Sequence, residues 1–243
     1  MKHKDERFLP TYPRTLHLPW KPNAQRDDLV AAEADCDILF KSPCVWVEEK
    51  IDGANCAMAL VGGHPIIRNR DHIMRKGYVK KTPAKMQFTS VWNWFYTQRD
   101  RFQALESVCP GAGVYGEWMY AQHGLEYDCL PELFIAYDLY DYEASQFIRT
   151  DRAIDILRSC GFTTPPLLHA GSISDFVQLE EMTLQVSPWT TKGFREGVYV
   201  KASADGRYIT HRFKMVRQGF TQGGLWSQTE LRRNTLGKST LAS

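Results

Sequence analysis

The segment Trp46-Val47-Glu48-Glu49-Lys50-Ile51-Asp52-Gly53-Ala54-Asn55 carries the strongest prediction of fold and chemistry. Lys50 ends an apolar, β-branched run that predicts a strand, and Asp52 and Gly53 predict a turn after it. A lysine amine is a nucleophile only when it is neutral, and its ordinary pKa of about 10.4 keeps it charged at pH 7. Burial beside other cations would lower that pKa, and Gly53 would let a large ligand approach the backbone. The segment therefore predicts a nucleophilic lysine, although a plain strand end entering a turn contains the same residue types.

The composition is that of an ordinary globular protein. The 243 residues are 43% apolar with a net charge of +2, which suits one large domain or two small ones and argues against indiscriminate nucleic-acid binding. No apolar stretch reaches the roughly 20 residues of a membrane span and no secretory pattern is visible, so we expect a cytoplasmic protein. Six scattered cysteines without a Cys-x-x-Cys pair suit reduced thiols better than a zinc site or a disulfide framework.

Strand-like and helix-like segments alternate irregularly along the chain. We expect strands at 45–49, 56–61, 65–69, 114–120, 133–140, 197–201 and 208–215, and helices at 85–107, 150–160 and 173–182. A turn at Gly62-Gly63 joins the second and third strands into a hairpin. This order predicts an α+β fold with mostly antiparallel sheets. We expect an extended arm at 1–28, one folded domain at 29–222 and a tail or short helix at 223–243.

Six further elements follow the lysine in order. They are Asn55, Arg68-Asn69-Arg70, Gly116-Glu117, Phe134-Ile135-Ala136-Tyr137-Asp138, Glu196-Gly197-Val198-Tyr199-Val200-Lys201 and Arg212-Phe213-Lys214. Each alone has a structural explanation as a solvated strand residue, a core residue or an exposed basic face. Together, over about residues 45–220, they resemble the motifs of the covalent nucleotidyltransferases, which include ATP-dependent ligases and mRNA capping enzymes. The resemblance implies a nucleotidyltransferase (adenylation) domain of mostly antiparallel sheets flanked by helices.

The resemblance also implies a role for the charged residues of these elements. Lys50 would attack the α-phosphorus of ATP and carry AMP, with Asp52 as a catalytic residue of the same motif. Lys214, with Arg212, would neutralise the α-phosphate and orient the leaving group. Two acidic residues would contact Mg²⁺ or Mn²⁺, or the ribose hydroxyls: Glu117 and Glu196.

The base would have its own contacts. An aromatic ring would stack on the adenine, with Tyr137 as first choice and Phe134 as second. Glu48 or Glu49 would accept a hydrogen bond from the adenine amino group, which guanine lacks at that position. Ile51 lies in the same nucleotide-binding segment.

The polynucleotide would meet basic and polar residues near the lysine. Arg70 would touch the AMP phosphate or the 5′-phosphate of the RNA, with Arg68 as the alternative, and Asn55 would contact nucleotide and nucleic acid. A basic stretch beside Tyr78 suits either a solvated face or phosphate contact: Arg75, Lys76, Lys80, Lys81 and Lys85.

Asn55 distinguishes the branches of this superfamily. DNA ligases typically have Arg two residues after the motif glycine, whereas RNA ligases similar to bacteriophage T4 RNA ligase 2 have Lys-x-His-Gly-x-Asn. This chain has the Asn but carries Asp52 in place of the His, and Arg212 replaces the first lysine of the closing motif. No OB-fold is expected after Lys214, because only 29 residues follow it.

An ATP-dependent RNA ligase is therefore the leading interpretation. It would join 5′-phosphate and 3′-hydroxyl RNA ends through lysyl-AMP and a 5′-adenylylated strand, with an end-healing kinase/phosphatase as a possible partner. The alternatives are a DNA ligase-like or capping-type nucleotidyltransferase, and a catalytically degenerate RNA-binding protein. Intact Lys50, Glu117, Glu196 and Lys214 argue against the last of these.

Overall fold

The computed structural model of the protein describes residues 5–20, 29–77, 86–220 and 231–237. The helices are α1 Glu33–Lys41, α2 Val91–Thr97, α3 Arg99–Val108, α4 Thr150–Ser159 and α5 Phe176–Thr183. The strands are β1 Leu16–His17, β2 Val45–Lys50, β3 Ala54–Val61, β4 His64–Asn69, β5 Gly113–Trp118, β6 Phe134–Asp141, β7 Gln146–Phe147, β8 Leu167–Gly171, β9 Gly197–Ala202 and β10 His211–Val216.

These strands form two five-stranded sheets that face each other. The first sheet has the order β1-β10-β9-β2-β8 and the second has the order β4-β3-β5-β6-β7. All pairs are antiparallel except β1 with β10. The predicted α+β class with mostly antiparallel sheets is confirmed, and neither sheet closes into a barrel in the described part of the chain.

Strand alternation gives the first sheet one apolar and one polar face. In β2, Val45 and Val47 join an apolar cluster with α1 and α5, while Glu48 and Lys50 point toward the second sheet. Helices α2, α3 and α4 cover the far side of the second sheet, where Phe95, Phe102 and Leu157 are buried. The polar face of the first sheet thus lies between two apolar layers, which is where the site residues gather.

The proline-rich N-terminal segment is extended and packs into this fold. Leu9 and Leu18 are fully buried or nearly so, and β1 adds a short parallel strand beside β10. At the other end, residues 231–237 lie extended against the loop 119–130, with bridges from Ala121 to Arg233 and from Leu130 to Leu236. The short helix considered for 223–243 is therefore not formed over 231–237. Residues 21–28, 221–230 and 238–243 lie outside the described residues.

Several predicted elements differ in detail from the structure. The single helix expected at 85–107 is two helices that meet at Gln98, whose N–H is shared between the carbonyls of Trp94 and Phe95. Helix α1 and strand β8 were not predicted. In the described ranges, no helix is both long enough and apolar enough to span a membrane.

Candidate active site

Lys50 ends β2 and faces the second sheet. Its Nζ donates a 2.6 Å hydrogen bond to Oε2 of Glu196, which directly precedes the neighbouring strand β9. The strand register places Lys50 opposite Gly197, so the backbone itself brings the two side chains together. The ring centroid of Tyr199 lies 5.5 Å from the same amine. Lys50 and Glu196 belong to separate sequence motifs more than 140 residues apart, and the fold joins them in one ion pair.

The charge state of Lys50 differs from the prediction. Burial alone would lower the pKa of Lys50, but the negative charge of Glu196, with smaller contributions from Tyr199 and Asp52, outweighs it and raises the pKa. The expected lowering by neighbouring cations is wrong for this structure, because the amine pairs with a carboxylate. A step that uses the neutral amine must first move this proton.

Glu117 and Glu196 supply two buried carboxylates on opposite sheets. Burial raises the pKa of Glu117 to about 8 and that of Glu196 to about 7, with Lys50 opposing in both cases. Oε2 of Glu117 is buried without a hydrogen-bond partner. The described residues contain no cluster of three or more His, Cys, Asp or Glu side chains able to hold a metal by themselves. The pair is therefore suited to sharing a divalent cation with a ligand that brings its own oxygens.

A bulge in β6 aims two consecutive side chains at the first sheet. Tyr115 pairs with Asp138 and Gly116 with Ala136, which leaves Tyr137 as the extra residue. The Tyr137 hydroxyl accepts a 2.7 Å hydrogen bond from Nδ2 of Asn55, which fixes its ring between the sheets. Phe134 lies on the other face of the second sheet, in the core beneath the helices. Phe134 is therefore not placed to stack on a base that is bound between the two sheets.

Lys201 is a site residue to which the sequence analysis assigned no role. It is 1% exposed, and its Nζ contacts Glu48 Oε2, Asp138 Oδ1 at 2.8 Å and the carbonyl of Tyr137 at 3.0 Å. Burial would lower the pKa of Lys201, but Asp138 and Glu48 outweigh it and raise it. The period-two alternation of β9 would have placed Lys201 on the same face as Tyr199. This buried cation links Glu48 of the first sheet to Asp138 of the second. We call the space between the two sheets the cleft, and the part around Lys201 its inner end.

Arg212 belongs to this inner end rather than to the neighbourhood of Lys50. Its Nε and one terminal nitrogen lie 3.4 Å from Oδ2 of Asp138, and its guanidinium lies 4.2 Å from the ring centroid of Phe147. The role expected for Arg212 on the α-phosphate is therefore not supported by its position. Lys214 lies two residues further along β10, opposite Tyr199 of β9. Its positive charge lowers the pKa of Glu196, so Lys214 remains placed to neutralise the α-phosphate.

Glu48 and Glu49 point to opposite sides of β2. Glu48 is held by Lys201 through Oε2, and its Oε1 is buried without a partner. Both carboxylate oxygens of Glu49 are buried without a hydrogen-bond partner, and the Nε of Arg195 is 3.8 Å from one of them. Burial raises the pKa of both carboxyl groups. Of the two, Glu48 faces the second sheet, so it is better placed than Glu49 to meet a base bound between the sheets.

The turn after Lys50 is tightly held. Oδ2 of Asp52 accepts hydrogen bonds from the N–H groups of Gly124 and Leu125, at 2.6 and 2.8 Å, and the Asp52 N–H donates to the hydroxyl of Tyr127. A Cβ at Gly53 would lie 3.1 Å from the carbonyl of Trp118, so close approach requires the glycine here. The side chain of Ile51 is buried in an apolar cluster with Met119 and Tyr127, which leaves only its backbone for a ligand.

The two candidate arginines have different surroundings. Arg68 is 2% exposed and donates to the carbonyl of Leu9 and the hydroxyl of Thr11, so it anchors the N-terminal segment and is not available to nucleic acid. Arg70 is exposed, and its charge acts on Glu117. Arg75 and Lys76 of the basic stretch are exposed as well, and its remaining members lie outside the described residues.

Two mostly antiparallel sheets, with a lysine, two carboxylates and a tyrosine between them, are the arrangement of a nucleotidyltransferase domain. Residues 44–216 match the model of the RNA ligase family. This match spans well over half of the chain, and the protein belongs to the RNA ligase family.

Solved structures of an RNA ligase from Naegleria gruberi share the fold. The E312A mutant with AMP and Mn is 14% identical with a TM-score of 0.57, covering 88% of this chain and 57% of that one. The form with PPi is 17% identical with a TM-score of 0.55, covering 76% and 52%. The K326A mutant with ATP and Mn is 16% identical with a TM-score of 0.54, covering 74% and 51%. The chain thus spans about half the length of these ligases, and no curated protein sequence is significantly similar to it.

Proposed function

We propose that this protein is an ATP-dependent RNA ligase that carries AMP on Lys50. The observation that supports this most is the ion pair of Lys50 with Glu196, enclosed between two sheets with Glu117 and Lys214 nearby. A lysine held at the end of a buried strand, opposite carboxylates suited to a cation, has the surroundings of a covalent nucleophile.

The nucleotide would lie along the polar face of the first sheet. The ring of Tyr137 would stack on the adenine, and one of the unsatisfied carboxylates of Glu48 and Glu49 would accept from its amino group. Lys214 would face the α-phosphate, because its charge already acts on Glu196 beside Lys50. Arg70 would meet a phosphate of AMP or of the RNA end at the exposed edge.

The first step forms one bond and breaks one bond. Lys50 first loses the proton that its ion pair with Glu196 stabilises. The neutral amine then attacks the α-phosphorus, a P–N bond forms, the bond to pyrophosphate breaks, and a second amine proton passes to solvent. The AMP group then passes to a 5′-phosphate end, and a 3′-hydroxyl displaces AMP to join the strands.

Glu117 and Glu196 would help to hold a divalent cation, Mg²⁺ or Mn²⁺. The unsatisfied Oε2 of Glu117 and the raised pKa values of both carboxyl groups indicate oxygens that a cation would stabilise in ionised form. When bound, the cation supplies charge neutralisation for the phosphates. Two of the Naegleria ligase structures contain ATP or AMP with Mn, which supports the use of a divalent cation by this protein.

RNA ends are the proposed substrate, on the family match and on Asn55 two residues after Gly53. A kinase/phosphatase that prepares 5′-phosphate and 3′-hydroxyl ends is the proposed partner, in the cytoplasm. The test offers nicked duplexes whose 3′-hydroxyl strand is RNA or DNA, with ATP or GTP. Sealing of RNA ends with ATP supports the proposal. Preference for GTP, or for DNA ends, contradicts it and favours a capping-type or DNA ligase activity.

A further inference from the structure

The segment 231–237 crosses the loop that holds the turn after Lys50. Its central residue, Asn234, is 8% exposed, and both polar atoms of its side chain make hydrogen bonds. Nδ2 donates to the carbonyls of Met119 and Ala121 at 2.9 and 3.1 Å, and Oδ1 accepts from the N–H of Tyr127 at 3.0 Å. One side chain thus joins both ends of a bend in the loop, which has no regular secondary structure to hold it.

Backbone pairing extends this contact in both directions. The Gln122 N–H donates to the carbonyl of Arg232, and the Thr235 N–H donates to the carbonyl of Tyr127. The Gly237 N–H donates to the carbonyl of Leu130. The segment behaves as an added edge strand that fixes residues 120–130 along their length.

The same loop fixes Asp52. The N–H groups of Gly124 and Leu125 bind its carboxylate, and the hydroxyl of Tyr127 accepts from its backbone N–H. Asp52 lies two residues after Lys50, in the turn that joins β2 to β3. A continuous series of hydrogen bonds therefore runs from Asn234 through Tyr127 to Asp52 and the end of the strand that carries Lys50.

We propose that Asn234 is a positioning residue for Lys50, acting through the loop 119–130 and Asp52. The inference rests on the proposed function, since it concerns the step in which Lys50 is the nucleophile. An amine that must attack in line loses rate steeply when its backbone shifts, by as much as a hundredfold for a displacement of about 1 Å. Sealing of a strand that is already adenylylated does not use Lys50 as the nucleophile, so that step is affected far less.

The test compares these two steps in the full chain. Asn234→Ala removes all three side-chain hydrogen bonds, and Tyr127→Phe removes only the hydroxyl that accepts from Asp52. Thr235→Ala is the matched control, because Thr235 is exposed and its contacts to the loop use the backbone. Covalent labelling from ATP labelled at the α-phosphate reports the first step, and joining of a pre-adenylylated RNA strand reports the last.

We expect Asn234→Ala and Tyr127→Phe to slow labelling at least about tenfold, with sealing of the pre-adenylylated strand changed by less than about threefold. Thr235→Ala should match the unaltered protein in both assays. Tyr127→Phe keeps the ring in place and tests the same series of contacts if Asn234→Ala does not fold. Equal slowing of both steps, or labelling at the unaltered rate in both variants, overturns the inference. If the unaltered protein takes up no label, the proposed function fails and this inference fails with it.

Discussion

The amine of Lys50 and the carboxylate of Glu196 are joined by a 2.6 Å hydrogen bond between adjacent strands. Glu196 is the largest contribution that raises the pKa of Lys50, and burial is the largest that lowers it. Glu196→Gln removes the negative charge that raises the pKa and leaves the burial that lowers it, so the pKa of Lys50 should fall. We expect Lys50 to react with an amine-acylating reagent at pH 8 at least about threefold faster in this variant.

Competitive acylation with mass spectrometry of the Lys50 peptide measures this rate. Glu126→Gln is the matched control, because Glu126 pairs with an exposed lysine, Lys192. Slower acylation of Lys50 in Glu196→Gln would show that the ion pair does not set its charge state.

Glu117 predicts a pH dependence of stability. Burial raises its pKa to about 8, so the folded protein binds a proton there that the unfolded chain has released above about pH 4.5. The contribution of this carboxyl to stability is therefore lost progressively as pH rises toward 8. Glu117→Gln should gain about 1–3 kcal/mol over the unaltered protein at pH 8 and nothing at pH 4.

Urea unfolding at the two pH values checks this difference. Glu143→Gln, an exposed carboxylate, should change stability at neither pH. A loss of stability for Glu117→Gln at pH 8 would mean that the folded protein stabilises the ionised carboxylate, contrary to this prediction. Glu117→Gln should also lose covalent labelling from ATP. A buried carboxylate that lowers stability is expected to be kept where activity requires it.

The ring of Tyr137, rather than its hydroxyl, should determine ATP affinity. Tyr137→Phe removes only the acceptor for Nδ2 of Asn55, so the KM for ATP should stay within about threefold. Tyr137→Ala removes the stacking surface and should raise that KM at least about tenfold. Steady-state labelling at varied ATP concentration measures both, with thermal melting to verify folding. An equal effect of the two substitutions would exclude stacking as the role of this residue.

Several predicted site residues lie close together in the structure, but the contacts around them do not follow from local sequence patterns. The strand-like segments 56–61 and 65–69 and the glycine turn at Gly62-Gly63 predicted the hairpin of β3 and β4 that follows Lys50, because strand and turn patterns are local. The pairing of Lys50 with Glu196 depends on the register of β2 with β9, which no local pattern specifies. The expected fall in the pKa of Lys50 was wrong for the same reason.

Two other differences have a similar physical cause. The run 85–107 contains no glycine, yet the chain bends at Gln98 so that Phe95 and Phe102 meet with ring centroids 4.2 Å apart. Arg212, and Arg68 as the alternative to Arg70, were predicted to contact phosphates, whereas Arg68 binds the N-terminal segment and Arg212 lies beside Asp138. Tertiary packing decided each outcome. An arginine can bind a phosphate or a group of the protein itself, and its position in the sequence does not distinguish the two roles.

Discrimination between ATP and GTP should depend on Glu48. Its Oε1 is buried without a hydrogen-bond partner on the side of β2 that faces the second sheet, whereas Glu49 points to the other side. A carboxylate accepts from the adenine amino group and repels the guanine carbonyl oxygen, so Glu48→Gln should narrow the preference for ATP over GTP about tenfold or more. Labelling with each nucleotide measures the ratio, and Glu49→Gln is the comparison. A narrower preference in Glu49→Gln alone would assign the contact to Glu49.

Covalent labelling of Lys50 tests the central claim most directly. The protein is incubated with Mg²⁺ and ATP labelled at the α-phosphate, and the labelled residue is identified by mass spectrometry. Lys41→Ala, which removes an exposed lysine of α1, serves as the control for Lys50→Ala. We predict one AMP on Lys50 in the unaltered protein and in Lys41→Ala, and none in Lys50→Ala. Undiminished labelling of Lys50→Ala would contradict the assignment of the nucleophile.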